Sequence, residues 1–256
     1  MTADELTPAL PIARDGGDGA SLAEVVELLR NGELSIEGRL VDASNATFYC
    51  RVSGAEQVAA TVYKPVAGER PLWDFPSGTL AEREVAAYEV SAVTGWSIVP
   101  PTVYRDGPAG PGMVQLWVDA DESVNLARFM RRRDVGQLRN IAVFDAVVNN
   151  ADRKGGHLLP TPDGHVWGVD HGVTFSVDNK LRTVLWQWAG DRLLAEERGV
   201  LRRLAAELNG VLGERLAGLL TGREVRSTKR RVERLLATGC YPEPGDGWPP
   251  VPWPPI

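Results

Sequence analysis

The chain is poor in cysteine, histidine and lysine, and it has no long apolar run. Its 256 residues include three histidines and two cysteines, Cys50 and Cys240, and the cysteines lie in no metal-binding or redox spacing. That excludes a disulfide scaffold, and both thiols are expected to be reduced in a cytoplasmic protein. No stretch approaches the ~20 apolar residues of a membrane-spanning helix, and no basic-then-apolar signal pattern opens the chain. A net charge of -6 argues against wholesale nucleic-acid binding. Only four lysines stand beside 24 arginines, namely Lys64, Lys154, Lys180 and Lys229. What remains is an ordinary soluble composition, 43% hydrophobic and 24% charged, in a length that suits one large domain or two lobes.

Residues 1–20 lack periodicity and read as a flexible lead-in. Ser21-Leu22-Ala23-Glu24 is a capping box that opens a helix with Val25, Leu28 and Leu29 on one face. Three strands are expected over 34–41, 47–52 and 57–63. A second box, Thr79-Leu80-Ala81-Glu82, opens a helix that runs to about residue 93. Extended segments are expected over 98–104 and 113–117. Helices follow over 123–132, 134–149, 191–208, 210–221 and 223–237, with a hairpin between the second and third that turns at Pro162-Asp163-Gly164. The Pro/Trp tail from residue 241 has too little local order to pack as an element. The predicted organisation is a lead-in (1–20), a strand-rich lobe (21–118), a helical lobe (119–240) and the tail (241–256).

Two aspartates carry the chemistry. Asp152 sits in Asn149-Asn150-Ala151-Asp152-Arg153-Lys154-Gly155-Gly156-His157, just past an apolar helix. Asp170 follows the hairpin in Trp167-Gly168-Val169-Asp170-His171-Gly172. One carboxylate that orients a hydroxyl and one that holds a metal bridging ATP phosphates are what phosphoryl transfer requires. Arg153 and Lys154 can offset the charge of the transferring group. His157 starts the hairpin at a second metal position, where imidazole suits Mn²⁺ better than Mg²⁺. Asp145, inside the helix, is a candidate buried residue bonding the following loop. Lys64 ends the third strand, where it can neutralise nucleotide phosphates if a helix glutamate holds it. Glu84 is the expected partner, with Glu82 and Glu89 as competitors. The turn Asp42-Ala43-Ser44-Asn45-Ala46-Thr47 lets Ser44 and Asn45 approach phosphate oxygens, although it carries no glycine-rich phosphate motif.

These residues resemble the minimal kinase fold shared by phosphatidylinositol 3-/4-kinase-related proteins and HipA-type kinases. Asp152-Arg153 matches the start of their D-R-H-x-x-N or D-x-H-x-x-N loop, and Asp170-His171-Gly172 matches their D-F-G-like metal motif. The chain departs from the pattern at His157, where the families have asparagine, and at His171, where they have phenylalanine. The resemblance spans about residues 20–238 and implies an α+β, two-lobed protein-kinase-like fold. It further implies ATP with Mg²⁺ or Mn²⁺, Asp152 as the catalytic base and Asp170 with His157 on the metal. Lys64 and Glu84 would clamp the phosphates, and an adenine-facing hinge over 114–119 would present Gln115 and Trp117. The acceptor hydroxyl stays open among inositol lipid, small metabolite and protein. Residues 173–188, with Lys180, Arg182, Trp186 and Trp188, either meet an anionic headgroup or pack on the helical lobe through their tryptophans. The basic runs Arg131-Arg132-Arg133 and Lys229-Arg230-Arg231 read mainly as solvated faces and leave peripheral membrane contact as the lesser alternative. A nucleotide-binding pseudokinase or scaffold is the rival reading.

Overall fold

The computed structural model describes residues 7, 10–11, 19–40, 45–55, 57–245 and 247–256. It is α+β, with a five-stranded antiparallel sheet followed by a largely helical part. Two compact units are distinguished: Met1–Val85 with Pro100–Asp119, and Ala86–Val99 with Ala120–Ile256.

In the first unit, α1 (Leu22–Asn31) begins at the expected box, with the Glu24 N–H donating to Ser21 Oγ and the Ser21 N–H to Glu24 Oε2. Its last carbonyls meet a cation, since Arg105 Nη1 donates to Leu29 O at 3.0 Å and Gly32 O at 2.7 Å. The strands β1 (Glu33–Arg39), β2 (Phe48–Ser53), β3 (Val58–Pro65), β4 (Thr102–Gly107) and β5 (Gly110–Leu116) form a sheet in the order β1-β2-β3-β5-β4. Alternation places Cys50, Val52, Ala59, Tyr63 and Val114 in one core with Val25 and Leu29 of the helix. The third strand continues past its predicted end, so Lys64 lies within β3, opposite Met113. Gly112 permits that pairing: a Cβ there would stand 2.4 Å from the Lys64 carbonyl oxygen.

Helix α2 (Leu80–Thr94) is not opened by the predicted Thr79/Glu82 box. Glu69 takes that place, its carboxylate accepting from the Leu80 N–H at 3.2 Å and the Ala81 N–H at 2.9 Å. Thr79 instead donates its hydroxyl to the Pro76 carbonyl. Residues 86–99, expected in the strand-rich lobe, group with the second unit. Their bonds explain it: Ser91 Oγ accepts from the Ile98 and Val99 N–H groups, the Gly168 N–H donates to Ile98 O, and Arg203 donates to Val93 O and Thr94 O.

The second unit is built on α4 (Gly136–Val148), whose residues from Ile141 to Val148 are all buried. A four-residue helix, α3 (Leu126–Phe129), precedes it, and the hairpin β6 (Leu158–Pro160) with β7 (Val166–Gly168) follows. Asp163 accepts from Thr161 Oγ1 and the His165 N–H in the hairpin turn, and Gly164 takes the left-handed φ of 82°. Helices α5 (Ala195–Glu207), α6 (Val211–Ala217) and α7 (Gly222–Thr238) close the unit. The basic runs are not simply solvated faces. Arg231 turns inward to donate to Val147 O and Ser176 O, and burial depresses its pKa to about 10. Arg133 pairs with Asp191. Among the described residues no helix is long and apolar enough to cross a membrane.

Candidate active site

The apolar face of α4 fixes where the polar loop after it begins. Asn149 ends the helix in the left-handed conformation, φ 56°, and is fully buried. Its side-chain amide donates to Ser176 O and Asp178 O and accepts from the Lys180 N–H, which ties the 176–180 segment to the helix end. Asn150 aims Asp152: its Oδ1 accepts from the Asp152 N–H at 3.0 Å while its Nδ2 donates to Asp145 Oδ1 at 3.0 Å. The Asp152 carboxylate, 30% exposed, lies 3.0 Å from Lys154 Nζ.

Asp170 emerges just after β7 with a φ of 60°. A β-carbon makes that backbone costly, by about 1–3 kcal/mol, and such strain concentrates at functional positions. Its carboxylate is 49% exposed and lies 3.3 Å from His157 Nε2. The Lys154 N–H approaches His157 Nδ1 at 3.4 Å. An acceptor role for Nδ1 leaves the proton of the neutral ring on Nε2, directed at Asp170. Burial pushes the His157 pKa below its usual value, aided by Arg153 and Lys154 and opposed by Asp170 and Asp152.

Arg153 does not face the position expected of it. Its side chain is wholly buried and bidentate on Asp145, at 3.0 Å from Nε to Oδ2 and 3.0 Å from Nη2 to Oδ1. Nη1 donates to Val169 O at 2.9 Å and His157 O at 3.3 Å, and Nη2 meets His171 Nε2. A guanidinium can only donate, so that His171 nitrogen is the acceptor. His171 is fully buried and stands edge-on to Phe144 at 5.5 Å, a packing role in place of phenylalanine's. One buried cation therefore joins α4, the Asp152 loop and both sides of the hairpin that carry His157 and Asp170. Burial takes Arg153 out of the exposed position expected of it and makes it the part that joins the two acidic loops.

The first unit holds the other expected pair. Lys64 Nζ lies 2.8 Å from Glu84 Oε1, with Glu84 2% exposed and Lys64 20%. The competing Glu89 is engaged by Arg215 in the second unit. The expected nucleotide contacts are differently occupied. Asn45 Oδ1 accepts from the Arg70 N–H at 2.9 Å, and Ser44 lies outside the described residues. Gln115 is buried and donates to Thr102 Oγ1, while Trp117 donates to Asp119 and stands edge-on to Tyr49. In the sequence, Asn149 and Asn150 stand out as polar residues emerging with Asp152 at a helix exit, where asparagine is a common cap, but not as the residues that position Asp152 and the 176–180 segment. Two consecutive amides straight after a helix with no polar stripe were the available sign.

Among the described residues no three of His, Cys, Asp and Glu gather as a metal cage.

No family model matches the sequence. The chain is similar to Protein Rv2133c of Mycobacterium tuberculosis (strain ATCC 25618 / H37Rv), 46% identical over 261 residues, covering 89% of this chain and 94% of that one. A solved structure, that of a Helicobacter pylori proinflammatory kinase CtkA, aligns at a TM-score of 0.44 and 10% identity over 81% of this chain and 98% of its own. That likeness is too distant to assign an activity. By its sequence identity and coverage, the chain belongs to the same protein family as Rv2133c.

Proposed function

We propose that the protein is an ATP-dependent phosphotransferase with an alcohol group as acceptor. The observation that carries this reading is the Arg153–Asp145 brace. It holds one partly exposed aspartate on a loop after a buried helix and a second, in left-handed backbone, after a short hairpin. Asp152 takes the proton from the acceptor hydroxyl as its oxygen bonds to the γ-phosphorus and the bond to ADP breaks. Asp170 would hold Mg²⁺ or Mn²⁺, and the ion would neutralise phosphate charge. His157, 3.3 Å from the Asp170 carboxylate, would orient it and stand at the second metal position. Lys64, held by Glu84, neutralises phosphate oxygens, and Lys154 does the same beside Asp152. The resemblance to phosphatidylinositol 3-/4-kinase-related and HipA-type kinases supports the same roles.

The test follows ADP formation with Mg²⁺ and with Mn²⁺ in the parent chain, Asp152→Asn and Asp170→Asn. Loss of a positioned base lowers turnover by about 10²–10⁴-fold, and equal turnover in all three chains rejects the assignment. His157 and His171, in place of the asparagine and phenylalanine of the resembled kinases, favour a second reading, a nucleotide-binding scaffold that transfers nothing. Stabilisation by ATP and metal without a phosphorylated product from lipid, sugar or protein acceptors would support it.

A further inference from the structure

The Pro/Trp segment expected to lie loose is bound. Arg182 Nε donates to Pro249 O at 2.9 Å and Nη2 to Val251 O at 3.4 Å. Pro250 O accepts from the Thr183 N–H at 3.0 Å and from Trp186 Nε1 at 2.8 Å. Pro252 is buried, and Pro255 O accepts from the Gly155 N–H at 2.7 Å. Every one of these bonds runs from a donor on the protein to a carbonyl of the segment. That is the complement a proline-rich strand demands, because proline keeps its carbonyl and has no N–H.

The platform beneath the strand is continuous with the Asp152 loop. The Arg153 N–H donates to Arg182 O at 3.0 Å, and the Val184 N–H donates to Arg153 O at 3.1 Å. Gly155 is part of the fit: a Cβ there would stand 3.1 Å from Ile256 Cγ1 and 3.4 Å from Pro255 O. The strand thus starts on the residues bonded to Arg153 and arrives three residues past Asp152. Its sequence, Gly247-Trp248-Pro249-Pro250-Val251-Pro252-Trp253-Pro254-Pro255-Ile256, contains no side-chain hydroxyl.

We propose that Arg182, Thr183, Trp186 and Gly155 form a binding surface for an extended, proline-rich polypeptide, and that residues 248–256 fill it in cis. On the phosphotransferase reading, on which this second half rests, the surface is the acceptor side of the Asp152 loop. The acceptor is then a polypeptide hydroxyl, and the resident strand, having none, blocks the surface without being consumed.

The experiment uses the full-length chain, Pro252→Asp, which puts a charge at a buried position of the strand, and Arg182→Ala/Pro252→Asp, which also damages the surface. In Pro252→Asp the Gly155 amide should exchange hydrogen about tenfold faster, as local opening requires. A fluorescein-labelled peptide copying residues 247–256 should then bind Pro252→Asp, bind the parent chain at least ~10-fold more weakly because its site is filled, and bind the double variant at least ~5-fold more weakly than Pro252→Asp. Equal peptide binding by all three chains, or by the single and double variants, overturns the surface. Should Pro252→Asp lose its helical circular dichroism, Arg182→Ala alone reads the same Gly155 amide, and unchanged exchange there overturns the contact. With ATP, metal and, as acceptor, the same peptide carrying Val251→Ser, ADP formation should be about fivefold faster in Pro252→Asp than in the parent chain and fall back when the hydroxyl-free peptide is added in excess. An unchanged rate despite release overturns the acceptor-side placement. Peptide capture with no ADP from any chain leaves the surface standing and removes the phosphotransferase reading.

Discussion

Arg153 shows how far a residue's place in a motif can differ from its work. Beside Asp152 in sequence, it suggested a cation facing phosphate, yet its five N–H donors point into the protein at Asp145, two carbonyls and His171. The pairing of two fully buried ions makes its removal expensive. Arg153→Met leaves the Asp145 charge buried and without its guanidinium, which should cost about 3–5 kcal/mol in urea unfolding. Because the same side chain aligns the two acidic loops, activity should fall in the fraction that remains folded. A loss under about 1 kcal/mol would mean that the brace is not what holds the loops. Cys50 gives a second test at this scale. It is fully buried in the sheet core, and burial first, then the Glu37 charge, pushes its thiol up to about 12. Iodoacetamide at pH 8 should therefore modify the partly exposed Cys240 and spare Cys50 until denaturant is added, read by peptide mass. The folded state holds this proton more tightly than the unfolded chain. Its contribution to stability is thus complete below about pH 8.5, the ordinary thiol value, and is lost as pH rises towards 12.

At the scale of elements, capping decides where α2 begins. Glu69 receives the first two free N–H groups of the helix, so Glu69→Ala should cost about 1 kcal/mol in thermal or urea unfolding, with Glu69→Gln recovering part of it. Thr79→Ala, at the position the local pattern favours, should cost less, and the reverse order would refute the assignment. The pattern could not reveal Glu69 because the cap comes from 11 residues upstream. Elements governed by local periodicity were legible: α1 with its box, the three strands of the first meander, the hairpin turn at Asp163-Gly164, and α4 with its buried face. Those shaped by other contacts were not. The extension expected from residue 98 becomes a strand only at Thr102, since Pro100 and Pro101 have no N–H to give a ladder. The helix expected over 123–132 shrinks to α3 because Asp121 binds the Ser123 N–H and hydroxyl and holds that stretch in a turn. The helix expected from 191 starts at Ala195, as the Leu193 N–H and the Arg192–Cys240 bridge tie the preceding residues to the end of α7. In the site, the Lys64–Glu84 choice was legible from strand and helix phase. The inward turn of Arg153 was not, because it depends on an acid eight residues earlier inside a helix.

For the whole molecule, charge sets the terms on which a nucleotide can bind. A chain of net charge -6 repels a polyphosphate at long range, so affinity must come from local cations at short distance. The first unit offers the ammonium of Lys64, which Glu84 holds in place but also half-neutralises. The second unit has Lys154, likewise paired with Asp152, and within that unit the Asp152 and Asp170 carboxylates by themselves oppose phosphate. On the phosphotransferase reading, a divalent ion on Asp170 would reverse the sign of that contribution. Nucleotide binding should therefore depend on metal. A non-hydrolysable ATP analogue with Mg²⁺ at about 100 times its Kd should stabilise the fold by about 2.7 kcal/mol, or roughly 5–10 °C in Tm for a chain of this size. Without metal the shift should all but vanish, and Asp170→Asn should reproduce that loss with metal present. Lys64→Met, which removes a charge-assisted contact worth about 1.5–3 kcal/mol, should weaken binding roughly 10–100-fold while leaving its metal dependence intact. If the analogue alone stabilises the protein as well as the analogue with Mg²⁺, Asp170 holds no metal, and the two aspartates would then have to be explained as loop structure.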